Sequence, residues 1–417
     1  MWVPTRMKLF NAQNRKIVLA WLCTVAGASV WSQTNHQFAF DTGQPQSGWI
    51  QVSATNFYSA EAGYGFEPGA DLTGTDCLTG KTPFLFSVKV PEGNYAVSVR
   101  LNDRAGEVVT TVKAEQRRLA LEKVRTDGTR TFIVNVRTPR ISDTQKVHLK
   151  VPRETTEETK EWDDKLTLEF DGVNPTIRTL VVTPTNVPTV FIAGDSTVCD
   201  QPAEPWNSWG QMLPRFLKPD VAVANYAESG ESVKSSLGAH RFDKIFSLMK
   251  PGDYLFVQFG HNDMKDKATN ALAVYKANLE KIVARTRELG GTPVLVTSME
   301  RKAGVTQDTL AGYPQTVRDV AQAEHCALVD LNAMSREFYQ ALGKDLDKAF
   351  VDGTHHDNYG SYELAKCVVT GIKLAGLPLA KSITDDFGDF NPSHPDSVAT
   401  FDLPASPNVS TTKPPGN

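Results

Sequence analysis

Five short apolar runs in the second half of the chain constrain its fold most strongly. They are VFIAG (190–194), VAVANYA (221–227), YLFVQFG (254–260), PVLVTS (293–298) and ALVDL (327–331). Strands that are apolar on both faces are typical of parallel sheets covered by helices. Between the runs, residues 270–289 carry apolar side chains at intervals of three and four, which predicts an amphipathic helix. Residues 187–384 are therefore predicted to form a three-layer α/β/α unit around a five-stranded parallel sheet.

Residues 37–182 follow a different pattern. Short alternating segments such as FLFSVKV, YAVSVRL, RTFIVNVR, KVHLKV and KLTLEF are separated by turn residues, and no helical period interrupts them. This pattern predicts an all-β sandwich. The PEGN turn predicts that Phe84–Val90 and Tyr95–Leu101 pair as a hairpin. The strongly charged stretch 155–165 predicts an exposed loop.

Both ends of the chain differ from these two units. Residues 1–33 combine four basic residues, no acidic residue and a 14-residue apolar run, which predicts a signal peptide removed after Ala28 or Ser32. The run is shorter than the ~20 residues that span a bilayer, so we expect a secreted or periplasmic protein without a membrane anchor. The Pro-rich tail 385–417 predicts an extended surface segment, of which only about the last ten residues are loose.

Charge and cysteine spacing exclude several classes of partner. The chain has 44 Lys and Arg against 48 Asp and Glu, and removing the four leader cations changes the net charge from −4 to 40 − 48 = −8. An acidic protein is a poor match for sequence-independent nucleic-acid binding. Cys77, Cys199, Cys326 and Cys367 are too widely spaced for a zinc site, although three disulfide pairings stay open. We expect a monomer that needs no metal or cofactor.

Polar blocks follow three of the predicted strands, and a fourth precedes the predicted last helix. They are GDST with Ser196, AESGES with Gly230, GHND with Asn262, and DGTH with Asp352 and His355. The carboxyl ends of parallel strands meet at one edge of a sheet, so these residues should lie together. A serine nucleophile needs a base and an orienting carboxylate, which His355 and Asp352 can supply from one turn. The backbone N–H groups of Ser196 and Gly230 and the amide of Asn262 are candidate oxyanion donors.

Several neighbouring residues compete for roles in this site. His356 is an alternative base, and Ser232 is an alternative nucleophile. His261, Glu231 and Trp209 are candidate substrate contacts, and Trp206 could stack on a sugar ring as Trp209 could. The GxSxG motif of the α/β-hydrolases is absent from the sequence, which argues against that serine-hydrolase fold.

The four blocks, in this order, resemble those of the SGNH (GDSL-like) hydrolases, and GDSTV, GHND and DGTHH most resemble the rhamnogalacturonan acetylesterases. The front segments FDTGQPQSGW and YGFEP resemble a galactose-binding-like sandwich. The resemblance implies a flavodoxin-like catalytic unit in which Ser196 is the nucleophile, His355 the base and Asp352 its orienter. It also implies an oxyanion hole of Ser196, Gly230 and Asn262. Glu231 departs from the pattern, because many relatives carry Arg after the glycine.

The resemblance implies a carbohydrate O-acetylesterase without a cofactor. The expected substrate is an acetylated plant cell-wall polysaccharide, most of all rhamnogalacturonan, the branched part of pectin. An esterase for acetylated xylan or another hemicellulose is the alternative within the same fold. A carbohydrate-binding protein without catalytic activity is the alternative from another class, and intact Ser196, Asp352 and His355 argue against it.

Overall fold

The structure is a computed structural model that describes residues 35–43, 47–101 and 108–415. The predicted signal peptide lies outside the described residues. None of the helices in the described ranges is long and apolar enough to cross a membrane.

The described residues from 35 to 185 form strands and no α-helix, so the all-β prediction is confirmed. The strands are β1 His36–Ala39, β2 Ile50–Gln51, β3 Tyr64–Phe66, β4 Leu72–Thr73, β5 Leu78–Gly80, β6 Phe84–Lys89, β7 Gly93–Leu101, β8 Val109–Ala114, β9 Arg118–Val124, β10 Gly128–Val136, β11 Lys165–Val173, β12 Thr176–Ile177 and β13 Thr179–Thr185. Two five-stranded sheets have the orders β10-β7-β13-β1-β2 and β3-β6-β11-β8-β9. Alternate residues of β7, among them Tyr95, Val97 and Val99, point into their shared core.

The predicted hairpin across the PEGN turn is wrong. β6 pairs with β11 and β3 in one sheet, whereas β7 pairs with β10 and β13 in the other. The turn therefore carries the chain from one sheet to its partner. The Tyr95 hydroxyl donates to the carbonyl of Pro91 at 2.7 Å, which fixes this corner in the manner of the tyrosine corners of β-sandwiches.

The second half contains the predicted parallel sheet. Its strands are β14 Thr189–Gly194, β15 Ala222–Asn225, β16 Tyr254–Gln258, β17 Thr292–Val296 and β18 Ala327–Val329. Each lies within or overlaps one of the five apolar runs, and their order is β15-β14-β16-β17-β18. This order is that of the flavodoxin-like fold, with its crevice where the direction of the crossovers reverses, beside β14.

Helices cover both faces of this sheet, which confirms the three-layer prediction. They are α1 Trp209–Met212, α2 Val233–Gly238, α3 Arg241–Leu248, α4 Ala271–Glu288, α5 Tyr313–Ala323, α6 Leu331–Leu342 and α7 Asn358–Leu374. Along β14, Val190 and Ile192 belong to the core shared with α1, α6 and α7. Phe191 and Ala193 belong to the core shared with α3, α4 and α5. This alternation explains why the run is apolar on both faces.

Two predictions made for this part of the chain fail in whole or in part. KVHLKV forms no strand, and the charged stretch 155–165 is exposed at 155–157 and 159 but buried at Glu158 and Glu161. Val147 packs in the core of α3, α4 and α5, and Glu154, Glu158 and Glu161 are at most 1% exposed. Arginines of both halves compensate these charges: Arg137 pairs with Glu161, and Arg241 pairs with Glu154. The prediction of an exposed loop is therefore wrong for Glu158 and Glu161, whose charges lie in a buried interface.

The turn between β8 and β9 is a second buried contact with the α/β half. The Arg118 guanidinium lies 2.5 Å from the Asp200 carboxylate, and Arg117 lies 2.5 Å from Glu204. Arg117 also donates to the carbonyls of Gln201 and Trp206. These arginines hold the loop that follows β14 and its Ser196.

The C-terminal tail is anchored as predicted by Phe387, Phe390, Phe401 and Leu403, which pack against the α/β core. The prediction that about the last ten residues are loose is wrong as far as residue 415. Val409 forms a β-bridge with Glu204, and the Trp206 indole donates to the carbonyl of Ser410 at 3.0 Å. Among the described residues, Cys199, Cys326 and Cys367 form no disulfide.

Glu115, in the turn between β8 and β9, makes the stability of this contact depend on pH. Burial raises the pKa of its carboxyl from 4.5 to about 8, against the opposing effect of Arg118. Between these two values the folded state retains a proton that the unfolded state releases. Stability therefore falls as the pH rises through this window, by at most on the order of 1 kcal/mol per pH unit.

We expect Glu115→Gln to remove this pH dependence while keeping an oxygen that accepts from the Thr167 N–H. Urea unfolding at about pH 5 and about pH 8 should show the variant gaining stability relative to wild type as the pH rises. Glu61→Gln, at an exposed position, is the control. An equal stability difference between Glu115→Gln and wild type at both pH values would contradict the prediction.

Candidate active site

The loop after β14 presents Ser196 at the crevice of the sheet. Asp195 accepts from the N–H and the hydroxyl of Thr197 at 3.0 and 2.7 Å, which closes a tight turn around Ser196. A side chain at Gly194 would lie 2.6 Å from the Val198 side chain, so the strand must end in glycine. Burial alone would raise the pKa of Asp195, but His261 and Thr197 hold it below its ordinary value.

Ser196, His355 and Asp352 lie in one hydrogen-bonded line. The Oγ of Ser196 is 2.8 Å from Nε2 of His355, and Nδ1 of His355 is 2.9 Å from Oδ2 of Asp352. Ser196 and His355 are 2% and 1% exposed. This arrangement can move a proton from the serine hydroxyl to the imidazole and stabilise the imidazolium that forms.

Asp352 is held in its ionised form. Its Oδ1 accepts from the backbone N–H groups of Thr354 and His355, each at 2.7 Å. Burial alone would raise the pKa of this carboxyl, but the His355 ring and these N–H groups hold it well below its ordinary value. Lys413 of the tail adds an ion pair to Oδ2 at 3.3 Å. The carboxylate is therefore available to fix the orientation of the His355 ring.

Gly230 and Asn262 lie in the loops that follow β15 and β16, and Asn262 contacts the residue after Gly230. Gly230 has a φ of +78°, a left-handed conformation that disfavours any side chain. The Asn262 amide nitrogen donates to the carbonyl of Glu231 at 3.0 Å, and its oxygen accepts from Lys265 at 2.8 Å. These two contacts orient the amide and leave its second N–H for another acceptor.

The structure gives the competing residues other partners. The ring of His356 lies 2.9 Å from the Tyr339 hydroxyl, and burial lowers its pKa to about 3. Ser232 caps α2 by accepting from the N–H of Ser235. The contact with Ser196 Oγ therefore belongs to His355, and Ser232 has a local structural role.

One of the three candidate substrate contacts is corrected. Trp209 is fully buried, and its indole donates to Gln258 inside the core. Glu231 is 2% exposed, and Lys150 lies 2.8 Å from its carboxylate. His261 lies 3.3 Å from Asp195, and its Nε2 has no hydrogen-bond partner among the described residues. Substrate contacts by His261 and Glu231 stay predictions. Trp206 is 6% exposed and packs edge-on to the His355 ring.

Several side chains that hold the site loops were not among the predicted site residues. Gln201 donates to the carbonyl of Ser196 at 2.8 Å. Arg301 donates to the Thr354 hydroxyl and to the carbonyl of His261. Lys150 and Arg153 contact residues 228–231. Gln201 lies only five residues after Ser196. Lys150, Arg153 and Arg301 are remote in sequence from the blocks that they contact, so spacing gave no signal for them.

Four buried carboxylates could hold a cation by distance alone. The ligand atoms of Glu154, Glu158, Glu161 and Glu228 lie within 4.8 Å of one another. Three arginines pair with this group, namely Arg137, Arg153 and Arg241. Because these cations already supply positive charge, the group fits an ion-pair network that joins the two halves of the chain.

Comparison with known proteins agrees with this geometry. Residues 192–361 match the GDSL-like Lipase/Acylhydrolase family. The chain is 35% identical to the rhamnogalacturonan acetylesterase RhgT of Bacillus subtilis over 212 residues, which cover 46% of this chain and 91% of that protein. It is 26% identical to the uncharacterized esterase YxiM of the same organism, over 82% of this chain and 91% of that protein.

A crystal structure of the Bacillus subtilis protein YxiM is 24% identical and covers 83% of this chain and 99% of its own, with a TM-score of 0.46. The family match includes Ser196, Gly230, Asn262, Asp352 and His355. RhgT exceeds 30% identity over nearly its whole length. The chain therefore belongs to the GDSL-like lipase/acylhydrolase family and is a carboxylic ester hydrolase.

Proposed function

We propose that this enzyme removes acetyl groups from an acetylated plant polysaccharide, rhamnogalacturonan, by a Ser-His-Asp mechanism. The observation that carries the mechanism is the 2.8 Å contact between Ser196 Oγ and His355 Nε2, continued by the 2.9 Å contact to Asp352. The substrate class is supported by the name of RhgT, which is similar over 91% of its length. The predicted leader supports action outside the cytoplasm.

In this mechanism, His355 takes the proton of Ser196 as the serine oxygen attacks the acetyl carbonyl carbon. Negative charge develops on the carbonyl oxygen, where the N–H groups of Ser196, Gly230 and Asn262 can donate. His355 then gives the proton to the departing sugar oxygen. Water, activated by the same ring, attacks the acetyl-serine and releases acetate.

Ser196→Ala should abolish acetate release, since it removes the hydroxyl that contacts His355 and would form the acetyl-enzyme. A fluorophosphonate probe should label wild type but not this variant. Ser232→Ala is the matched control, because it removes the competing serine. It should retain labelling and lose only about 1 kcal/mol of stability from its helix cap. Near-full acetate release by Ser196→Ala would disprove the mechanism.

Asp352→Asn should lower kcat on the order of 10⁴-fold, since an amide at this position favours the wrong tautomer of the His355 ring. Steady-state hydrolysis of 4-nitrophenyl acetate would measure the change. Asp347→Asn, five residues away with a side chain 80% exposed, is the control and should retain wild-type kcat. A change of less than tenfold in Asp352→Asn would contradict the orienting role.

The substrate assignment predicts faster acetate release from acetylated rhamnogalacturonan than from acetylated xylan. Acetate should appear without shortening of the polysaccharide, because the chemistry breaks ester and not glycosidic bonds. Measuring acetate and chain length together, with Ser196→Ala as the blank, tests both statements. Deacetylation confined to xylan would select the hemicellulose alternative.

A further inference from the structure

Residues 147–162, here called the bridge segment, come from the N-terminal half of the chain and lie against residues 228–231, here called the oxyanion loop. Glu154 fixes the bridge segment in place. Its carboxylate accepts from the Arg241 guanidinium at 3.0 and 2.5 Å, from the Trp162 indole at 2.9 Å and from the Lys150 N–H at 2.8 Å. Glu154 therefore fixes the backbone of Lys150, from which the side chain extends to the oxyanion loop.

The Lys150 side chain acts on a single peptide group. Its Nζ donates to the carbonyl of Ser229 and lies 2.8 Å from the carboxylate of Glu231. The Ser229 carbonyl and the Gly230 N–H belong to the same planar peptide unit and point in opposite directions. A cation on the carbonyl therefore fixes the plane of the N–H and increases its polarity as a donor.

Arg153 ties the same loop to the nucleophile. Its Nε donates to Glu228 at 2.9 Å, and its terminal nitrogen donates to the Ser229 hydroxyl at 3.0 Å. That nitrogen also donates to Gln201 at 3.3 Å, whose amide donates to the carbonyl of Ser196. The bridge segment thus contacts both the oxyanion loop and, through Gln201, the loop of Ser196.

We infer that Lys150 is a positioning residue for the Gly230 oxyanion donor, supplied by the N-terminal half of the chain. This inference rests on the proposed function, in which the Gly230 N–H receives the developing charge. Glu231 is the anion that holds Lys150. The loop thus carries an acid after its glycine, and its cation comes from the bridge segment.

The test compares Lys150→Met with Lys150→Arg and Lys150→Gln in the full chain. Lys146→Met is the matched control, since it removes the same charge from an exposed position nearby. Hydrolysis of 4-nitrophenyl acetate gives kcat and KM. A fluorophosphonate probe gives the rate of labelling at Ser196 and, at completion, the fraction of chains that carry an assembled site.

Lys150→Met should lower kcat by about 10- to 100-fold, because the donor is displaced rather than deleted. The labelling rate should fall in parallel, KM should change little, and labelling should still reach one per chain. Lys150→Arg should recover most of kcat, Lys150→Gln should fall between Lys150→Met and wild type, and Lys146→Met should match wild type.

A purely structural role would give a different pattern. The labelled fraction would fall while kcat per labelled chain stayed at the wild-type value, and this result would overturn the inference. Unchanged kcat in Lys150→Met would overturn it as well. Failure of the proposed function itself is distinguishable, since wild type would then be neither labelled at Ser196 nor active.

Discussion

The structure depends on buried ion pairs between its two halves. Arg118 with Asp200, Arg117 with Glu204 and Arg241 with Glu154 are each at most 8% exposed. Such pairs add little net stability, because desolvation offsets their attraction, but losing one partner costs about 3–5 kcal/mol. The ion pairs therefore contribute little to the free energy of unfolding, but they favour the one arrangement of the two halves in which every charge has its partner. In this chain, the arrangement that they select places the loops after β14 and β15.

The N-terminal half therefore supports the loops of the candidate active site. A sandwich that only bound carbohydrate would need no contact with the catalytic loops. Here the turn between β8 and β9 supports the loop after Ser196, and the bridge segment supports the loop that contains Gly230. The site is thus assembled from both halves, although the residues proposed for the chemistry all follow β14.

The parallel sheet and the contact between His355 and Asp352 could both be predicted from the sequence. The parallel sheet follows from apolar runs such as 254–260, which are of strand length and alternate with amphipathic helices. The contact between His355 and Asp352 follows from their spacing in one turn. The hairpin prediction failed because strand alternation records burial of one face but not which strand is the neighbour. The burial of Glu158 and Glu161 was missed because a sequence shows charge without showing the countercharge that permits burial.

The oxyanion donors mark a deeper limit of sequence analysis. Ser196 and Gly230 would donate through backbone N–H groups, which every residue except proline possesses. Substitution by proline removes such a donor, but any other substitution can change only what contacts the rest of the same peptide unit. For Gly230 that contact is Lys150, which lies far from it in sequence and on the opposite side of the peptide group. Residues that tune backbone donors should therefore be sought on the carbonyl side of the peptide, wherever the fold supplies a cation.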